Sequence, residues 1–250
     1  MNKTILSTLI ALLLFGCNGN SQQLKNEKMK SNSLENKNVT NPRVKLIYVM
    51  DPLCGWCYGN SSNTKKMYEK YKDVLDFEIL PAGMWIGENA RQQSKPMAQF
   101  IKKHDPQVQQ TTGTEFGKAY FEFIENENIL LDSEVPSRAI VTVKKIWASQ
   151  AIPFAIEVQK ARYWYGKDLN KDGTYSSICE NLGLDKTQFL STFHSEAIKQ
   201  QTQETFALAQ QYASSYPTLL AEKDGKLYVL EQGYASFESI TKQIDQLVNQ

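Results

Sequence analysis

Histidine is almost missing from this chain: His104 and His194 are the only two in 250 residues, and they stand far apart. There is one C-x-x-C and no histidine pair, so a tetrahedral metal site on Cys54 and Cys57 has no source for its other two ligands. No serine–histidine–aspartate pattern is present either, and each histidine reads as a surface or capping residue. Charge of one sign is missing too. Lysine and arginine number 28 against 27 acidic residues, for a net charge of +1. Nucleic acid is therefore not an expected partner, because no basic stripe is available to displace counterions from a phosphate backbone. The apolar run at residues 5–15 falls short of the ~20 residues that span a bilayer. No internal repeat is visible.

What that short run offers is an export signal. Lys3 precedes it and Gly16-Cys17 follows it, the layout of a cleaved secretory leader. Leu14-Phe15-Gly16-Cys17 resembles a bacterial lipobox, although Phe15 is an unusual residue at its position. Residues 1–17 are accordingly expected to be a lipoprotein signal peptide. Cys17 would be the lipidated residue that anchors the protein to a membrane of the cell envelope, facing the periplasm or its equivalent. An ordinary secretory signal with an incidental cysteine is the alternative. Both deliver the chain to a compartment where disulfides persist. Residues 18–41 are rich in Asn, Ser, Gln and Lys and hold too little apolar surface to offset ordering entropy. They read as a flexible tether of roughly 25–30 Å root-mean-square span.

Cysteine is scarce but pointedly placed. Setting Cys17 aside leaves three, and two of them form Cys54-Gly55-Trp56-Cys57 directly after the apolar run at residues 44–50. A dithiol at the junction of a strand and a helix can open and close. A thiol at a helix N-terminus is acidified, from about 8.5 for a free thiol to about 3.5–7 in such motifs, and the thiolate is the attacking species in disulfide exchange. Cys54 is therefore the candidate nucleophile and Cys57 the resolving thiol. Trp56 is expected to be exposed beside the thiol, either touching substrate or shielding the disulfide. Cys179, in an apolar helical stretch, reads as a core residue; the alternative is a third redox thiol.

Periodicity orders the rest. Residues 44–50 are β-branched and apolar without polar alternation, a strand buried on both faces. A helix over residues 57–71 and a second strand over 74–80, stopped by Pro81-Ala82-Gly83, complete a strand–helix–strand unit of the kind that pairs in parallel. Amphipathic patterns then run over residues 97–103, 114–126, 137–151, 153–165, 175–182 and 187–213, with Asp105-Pro106 read as a turn. Residues 218–222 and 227–231 flank Lys223-Asp224-Gly225-Lys226, a strong hairpin signal, and a helix over 236–248 follows. The fold class is thus α/β, a thioredoxin-like sheet with an inserted all-helical domain. The expected boundaries are residues 42–89 for the first part of the thioredoxin-like domain, 90–213 for the helical insertion and 214–250 for the second part. Residues 168–176 resemble the front of an EF-hand loop, but the twelfth position, which needs a bidentate glutamate, is Cys179. No metal and no cofactor is expected.

Asp51-Pro52-Leu53-Cys54-Gly55-Trp56-Cys57-Tyr58-Gly59, with Tyr216-Pro217-Thr218 some 160 residues later, is similar to the DsbA-like group of thioredoxin-fold proteins. Within that group the pattern Asp-Pro-x-Cys-x-Trp-Cys resembles a FrnE-related subgroup often called predicted disulfide isomerases. Pro81-Ala82-Gly83 and the segment 163–184 add to the likeness, which covers nearly all of residues 42–250. The resemblance implies a cis bond before Pro217 and a backbone at Tyr216 free to pair with an extended substrate strand. It implies exported protein substrates with thiols or disulfides, and a redox partner protein that the sequence does not identify. The wider group's strong oxidants carry Pro-His between their cysteines; Gly55-Trp56 here suggests a less stabilised thiolate than in oxidants near ~ −120 mV. Met84, Trp85 and Ile86 read either as core or as an apolar substrate surface. Two rival functions stand beside thiol–disulfide exchange. One is a non-catalytic chaperone or adaptor for unfolded exported chains. The other is a glutathione-dependent isomerase or transferase, which the resolving Cys57 disfavours.

Overall fold

The computed structural model describes residues 44–249. The signal peptide, Cys17 and the tether, residues 1–41, lie outside the described residues.

The central strand β1 (Lys45–Met50) carries the apolar run, and from Leu46 to Met50 every side chain is buried. It pairs in parallel with β2 (Asp76–Pro81), Leu46 opposite Phe77 and Val49 opposite Leu80. On its other side it pairs antiparallel with β5 (Thr218–Lys223), which continues to β6 (Lys226–Gln232), giving the order β2-β1-β5-β6. The hairpin turn sits where expected, with Asp224 and Gly225 both at positive φ. Successive side chains of β1 serve opposite faces. Leu46, Tyr48 and Met50 join one core with Met67, Ile240 and Ile244, while Ile47 and Val49 join Leu80, Leu220 and Ala209 in another. That two-sided burial is why the strand reads as an unbroken apolar run.

Between β1 and β2 the expected single helix is two, α1 (Gly55–Gly59) and α2 (Ser61–Tyr71), divided at Asn60. Strand β2 starts at Asp76, later than expected, because the amides of Val74 and Leu75 both donate to the Tyr71 carbonyl to close α2. It runs on through Pro81, a residue that an edge strand tolerates.

The chain then forms a helical block. A short pair of strands, β3 (Arg91–Gln92) and β4 (Leu130–Leu131), joins antiparallel. The helices are α3 (Lys95–Thr112), α4 (Lys118–Phe123), α5 (Glu134–Ile146), α6 (Ala151–Tyr163), α7 (Asp172–Asn181), α8 (Lys186–Phe193) and α9 (Glu196–Tyr212). Asp105-Pro106 is not a turn. It lies inside α3, where Ala98, Ile101, Asp105 and Val108 form one buried face that carries the helix across the proline. Ser94 caps its start, accepting from the Met97 amide, and Gly113 ends it at φ 74°. The pattern over residues 187–213 also splits, since Ser195 accepts from the Ile198 amide and starts α9 afresh. Asp185 caps α8 through the amides of Thr187 and Gln188. Helix α10 (Phe237–Val248), capped by Ser236, closes the fold. This is the thioredoxin-like sheet with a helical insert. Helix α1 packs against α3 and α6, so the insert adjoins the dithiol. No helix among the described residues is long and apolar enough to cross a membrane.

Candidate active site

Cys54 occupies the N-cap of α1 in extended conformation, held by its amide, which donates to the Asp51 carbonyl at 3.1 Å. Its thiol is half-buried and donates to the Tyr216 carbonyl across 3.6 Å. The Tyr216–Pro217 bond is cis. Cys57, one turn along, is fully buried, and both cysteines are free thiols. Burial pushes the Cys57 thiol well up, and the neighbouring Cys54 adds to this. One sulfur therefore faces outward beside a backbone carbonyl, and the second waits behind it, shielded from solvent. Trp56, between them, is 39% exposed. Tyr216 is half-buried and Pro217 buried. The structure thus brings Cys54, Trp56, Cys57, Tyr216 and Pro217 to one end of the sheet.

The loop before Cys54 is clamped by a residue that carries no chemistry in the sequence reading. Asp51, fully buried, accepts from the amides of Leu53 (2.8 Å) and Met84 (2.8 Å) and from the Ser133 hydroxyl (3.0 Å). Ser133 in turn accepts from the Trp85 amide and donates its own amide to the Trp85 carbonyl. One carboxylate thereby ties the dithiol loop to the segment after β2 and to the start of α5. Burial raises its pKa to about 6 against the pull of those three hydrogen bonds.

Beneath the dithiol lies a second acid. Glu231, 3% exposed, accepts from Asn60 Nδ2 and from the Ala235 amide, both at 3.0 Å. Its pKa is raised to about 7 by burial, with those bonds opposing. Tyr48 lies between: burial drives its phenol well up, and the charges of Cys57 and Glu231 push the same way. Strict alternation along β6 would place Glu231 with the exposed Leu227 and Val229. The ladder pairs Leu219 with Glu231 but Leu220 with Val229, so Leu230 is an extra residue, and this bulge brings Glu231 in.

On the other side of Cys54, a cavity of about 570 Å³ opens between α1 and the helical block. Met84 and Trp85 line it together with Cys54, Gly55 and Trp56, so both residues face the site; Ile86 does not line it. Cys179 is fully buried in α7, its thiol raised to about 11 by burial. In the EF-hand-like segment, Asp168 accepts from the Asn170 amide and Asp172 meets His194 at 2.8 Å, so these side chains serve each other. Among the described residues no group of three or more metal-ligating side chains converges.

The chain matches no family model and no curated protein. Solved structures do resemble it. A candidate protein disulfide isomerase from Nitrosomonas europaea aligns with TM-score 0.72 and 26% identity, over 83% of this chain and 98% of that one. The cytosolic disulfide reductase DsbM from Pseudomonas aeruginosa aligns with TM-score 0.69 and 25% identity, over 82% of this chain and all of that one. A candidate DsbA oxidoreductase from Streptomyces coelicolor, at 12% identity and TM-score 0.61, shares the fold over 83% of this chain and 91% of its own. Fold and site together define a thiol–disulfide oxidoreductase. Its structural neighbours are the DsbA-like thioredoxin-fold enzymes.

Proposed function

We propose that this protein exchanges disulfides with exported protein substrates through Cys54 and Cys57, from a lipid anchor at Cys17 in the cell envelope. The observation that carries the exchange chemistry is the asymmetry of the two thiols. Cys54 is outward-facing at the start of α1, and Cys57 is fully buried one turn behind it. The Cys54 thiolate attacks a substrate disulfide, forming a mixed disulfide and releasing one substrate thiolate. Cys57 then attacks the Cys54 sulfur, releasing the second and closing the Cys54–Cys57 disulfide. Run backward, the same two steps oxidise a substrate dithiol. Tyr216 presents its backbone beside Cys54, where an extended substrate strand can pair, while Pro217 supplies no N–H to compete. Trp56 gives that strand a flat apolar surface.

Export rests on Lys3, the apolar run and Leu14-Phe15-Gly16-Cys17. The Asp-Pro-x-Cys-x-Trp-Cys pattern supports placement beside FrnE-related proteins. The test is catalysed reduction and reoxidation of a disulfide-bonded model protein. Cys54→Ser is expected to abolish it, and Cys57→Ser to trap a mixed disulfide on Cys54. Full turnover by Cys54→Ser would refute the reading. Membrane attachment is tested separately, by detergent partitioning of the wild-type chain against Cys17→Ser.

A further inference from the structure

Asp105 is the one acidic residue lining the cavity beside Cys54, and it lies against the dithiol helix. It belongs to α3 and is 7% exposed. One of its oxygens accepts from the Tyr120 hydroxyl at 2.9 Å. The other stands 3.2 Å from where a Cβ on Gly55 would be, so the missing side chain next to Cys54 is what lets the carboxylate approach α1. Asp105, Cys54 and Gly55 all line the same cavity.

Tyr163 links the carboxylate to the thiol. Its buried ring stacks on Tyr58 of α1, with centroids 4.8 Å apart. Burial drives its phenol well up; Tyr120, Asp105 and Cys54 push the same way and Arg162 opposes, so one side chain lies within electrostatic reach of both Asp105 and Cys54. The groups facing Asp105 are Tyr120 from α4, Arg162 and Tyr163 from α6, and His104 beside it on α3. Arg91 also lines the cavity, over the Trp85 ring at 5.4 Å. Burial pushes the Asp105 carboxyl up to about 6, while the Tyr120 hydrogen bond, Arg162 and His104 pull the other way.

We infer that Asp105 restrains the nucleophile: its charge opposes that of the Cys54 thiolate within this cavity, so ionised Asp105 disfavours the thiolate and neutral Asp105 permits it. The inference rests on the exchange reading above and adds regulation of the same thiol by pH. Two neighbouring acids do not ionise independently, because each charge raises the cost of the other. A proton that binds in mildly acidic surroundings has two places to go. Settling on Asp105, it leaves the Cys54 charge in place and removes a neighbour of like sign. The thiolate therefore declines with falling pH more slowly than that of a lone thiol. Asp105 acts through Cys54, as a positioning residue.

The test is alkylation of Cys54 by iodoacetamide in the reduced full-length protein, mapped by peptide mass at a series of pH values. The reagent captures the thiolate. The logarithm of the wild-type rate is expected to rise with pH and to bend near pH 6, flattening where Asp105 ionises. Asp105→Asn keeps an oxygen for the Tyr120 hydroxyl. It should remove the bend and raise the rate at pH 7 about 3–10-fold, the scale of one like charge acting inside a protein. Tyr120→Phe removes a hydrogen bond that favours the carboxylate and should move the bend to higher pH. A wild-type profile without a bend, a bend that survives Asp105→Asn, or a rate that this variant leaves unchanged or lowers would overturn the inference. The wild-type profile decides the matter even where a variant folds poorly. Alkylation as expected, with Cys54 and Cys57 never pairing in glutathione buffer, would instead remove the exchange reading and leave the coupling of Asp105 to Cys54 standing.

Discussion

Replacing Glu231 by glutamine should flatten the dependence of folding stability on pH. The carboxyl is 3% exposed, and its pKa is raised from 4.5 to about 7, chiefly by burial. An acid that binds its proton more tightly in the folded state stabilises that state at low pH. The contribution is fully present below about 4.5, is lost as pH rises toward about 7, and is absent above. A tenfold change in proton affinity is about 1.4 kcal/mol, so the whole effect is about 3 kcal/mol, of which about 2.5 falls between pH 5 and pH 8. Asp51 and Asp105, both raised to about 6, bend the profile the same way but remain in the variant. Glutamine also turns an amide nitrogen toward one of the two donors, Asn60 or the Ala235 amide, a penalty that does not vary with pH. Urea unfolding of both reduced proteins at several pH values isolates the difference. The wild type should lose about 2.5 kcal/mol more than Glu231→Gln between pH 5 and pH 8. Parallel profiles would mean that Glu231 titrates alike in the folded and unfolded chain, contrary to its burial.

Three other expectations follow from particular contacts. Asp51→Ala strands three buried donors, at Leu53, Met84 and Ser133. It should lower stability by about 3–5 kcal/mol in denaturant titration. Gly59→Ala places a Cβ 2.4 Å from Val108 Cγ1 and 3.0 Å from Thr112 Cγ2. It should lose about 1–3 kcal/mol by the same measurement, and Val108→Ala should recover part of that loss. Timed alkylation of the native reduced protein with mass readout should modify Cys54 first, while Cys57 and Cys179, both fully buried with raised thiol pKa values, react fast only on unfolding.

What could be read from the sequence divides along the range of the forces involved. The run at residues 44–50 is apolar because β1 is buried on both faces, so its composition announces its place. Asp224-Gly225 announces its turn by backbone chemistry alone, and Cys54-Gly55-Trp56-Cys57 announces its reaction by spacing. Asp105-Pro106 misled because the local rule that proline breaks helices was overridden by the buried face running from Ala98 to Val108. Ser94 and Gly113 were the signals that could have bounded that helix. Glu231 was hidden by a bulge that breaks strand parity, a feature with no signature in Leu227–Glu231. Asp51 was quoted as part of a motif. Its three hydrogen bonds, two of them to residues more than thirty positions away, are visible only in the fold.

Exchange through Cys54 and Cys57 is tested by equilibrating the protein with glutathione buffers of graded poise, with free thiols mass-tagged and the disulfide mapped by peptide. One disulfide, Cys54–Cys57, is expected to form reversibly within the range of about −120 to −270 mV spanned by thioredoxin-fold oxidants and reductants, with Cys179 free throughout. Absence of a Cys54–Cys57 disulfide at every poise, or pairing of either cysteine with Cys179 instead, would contradict it.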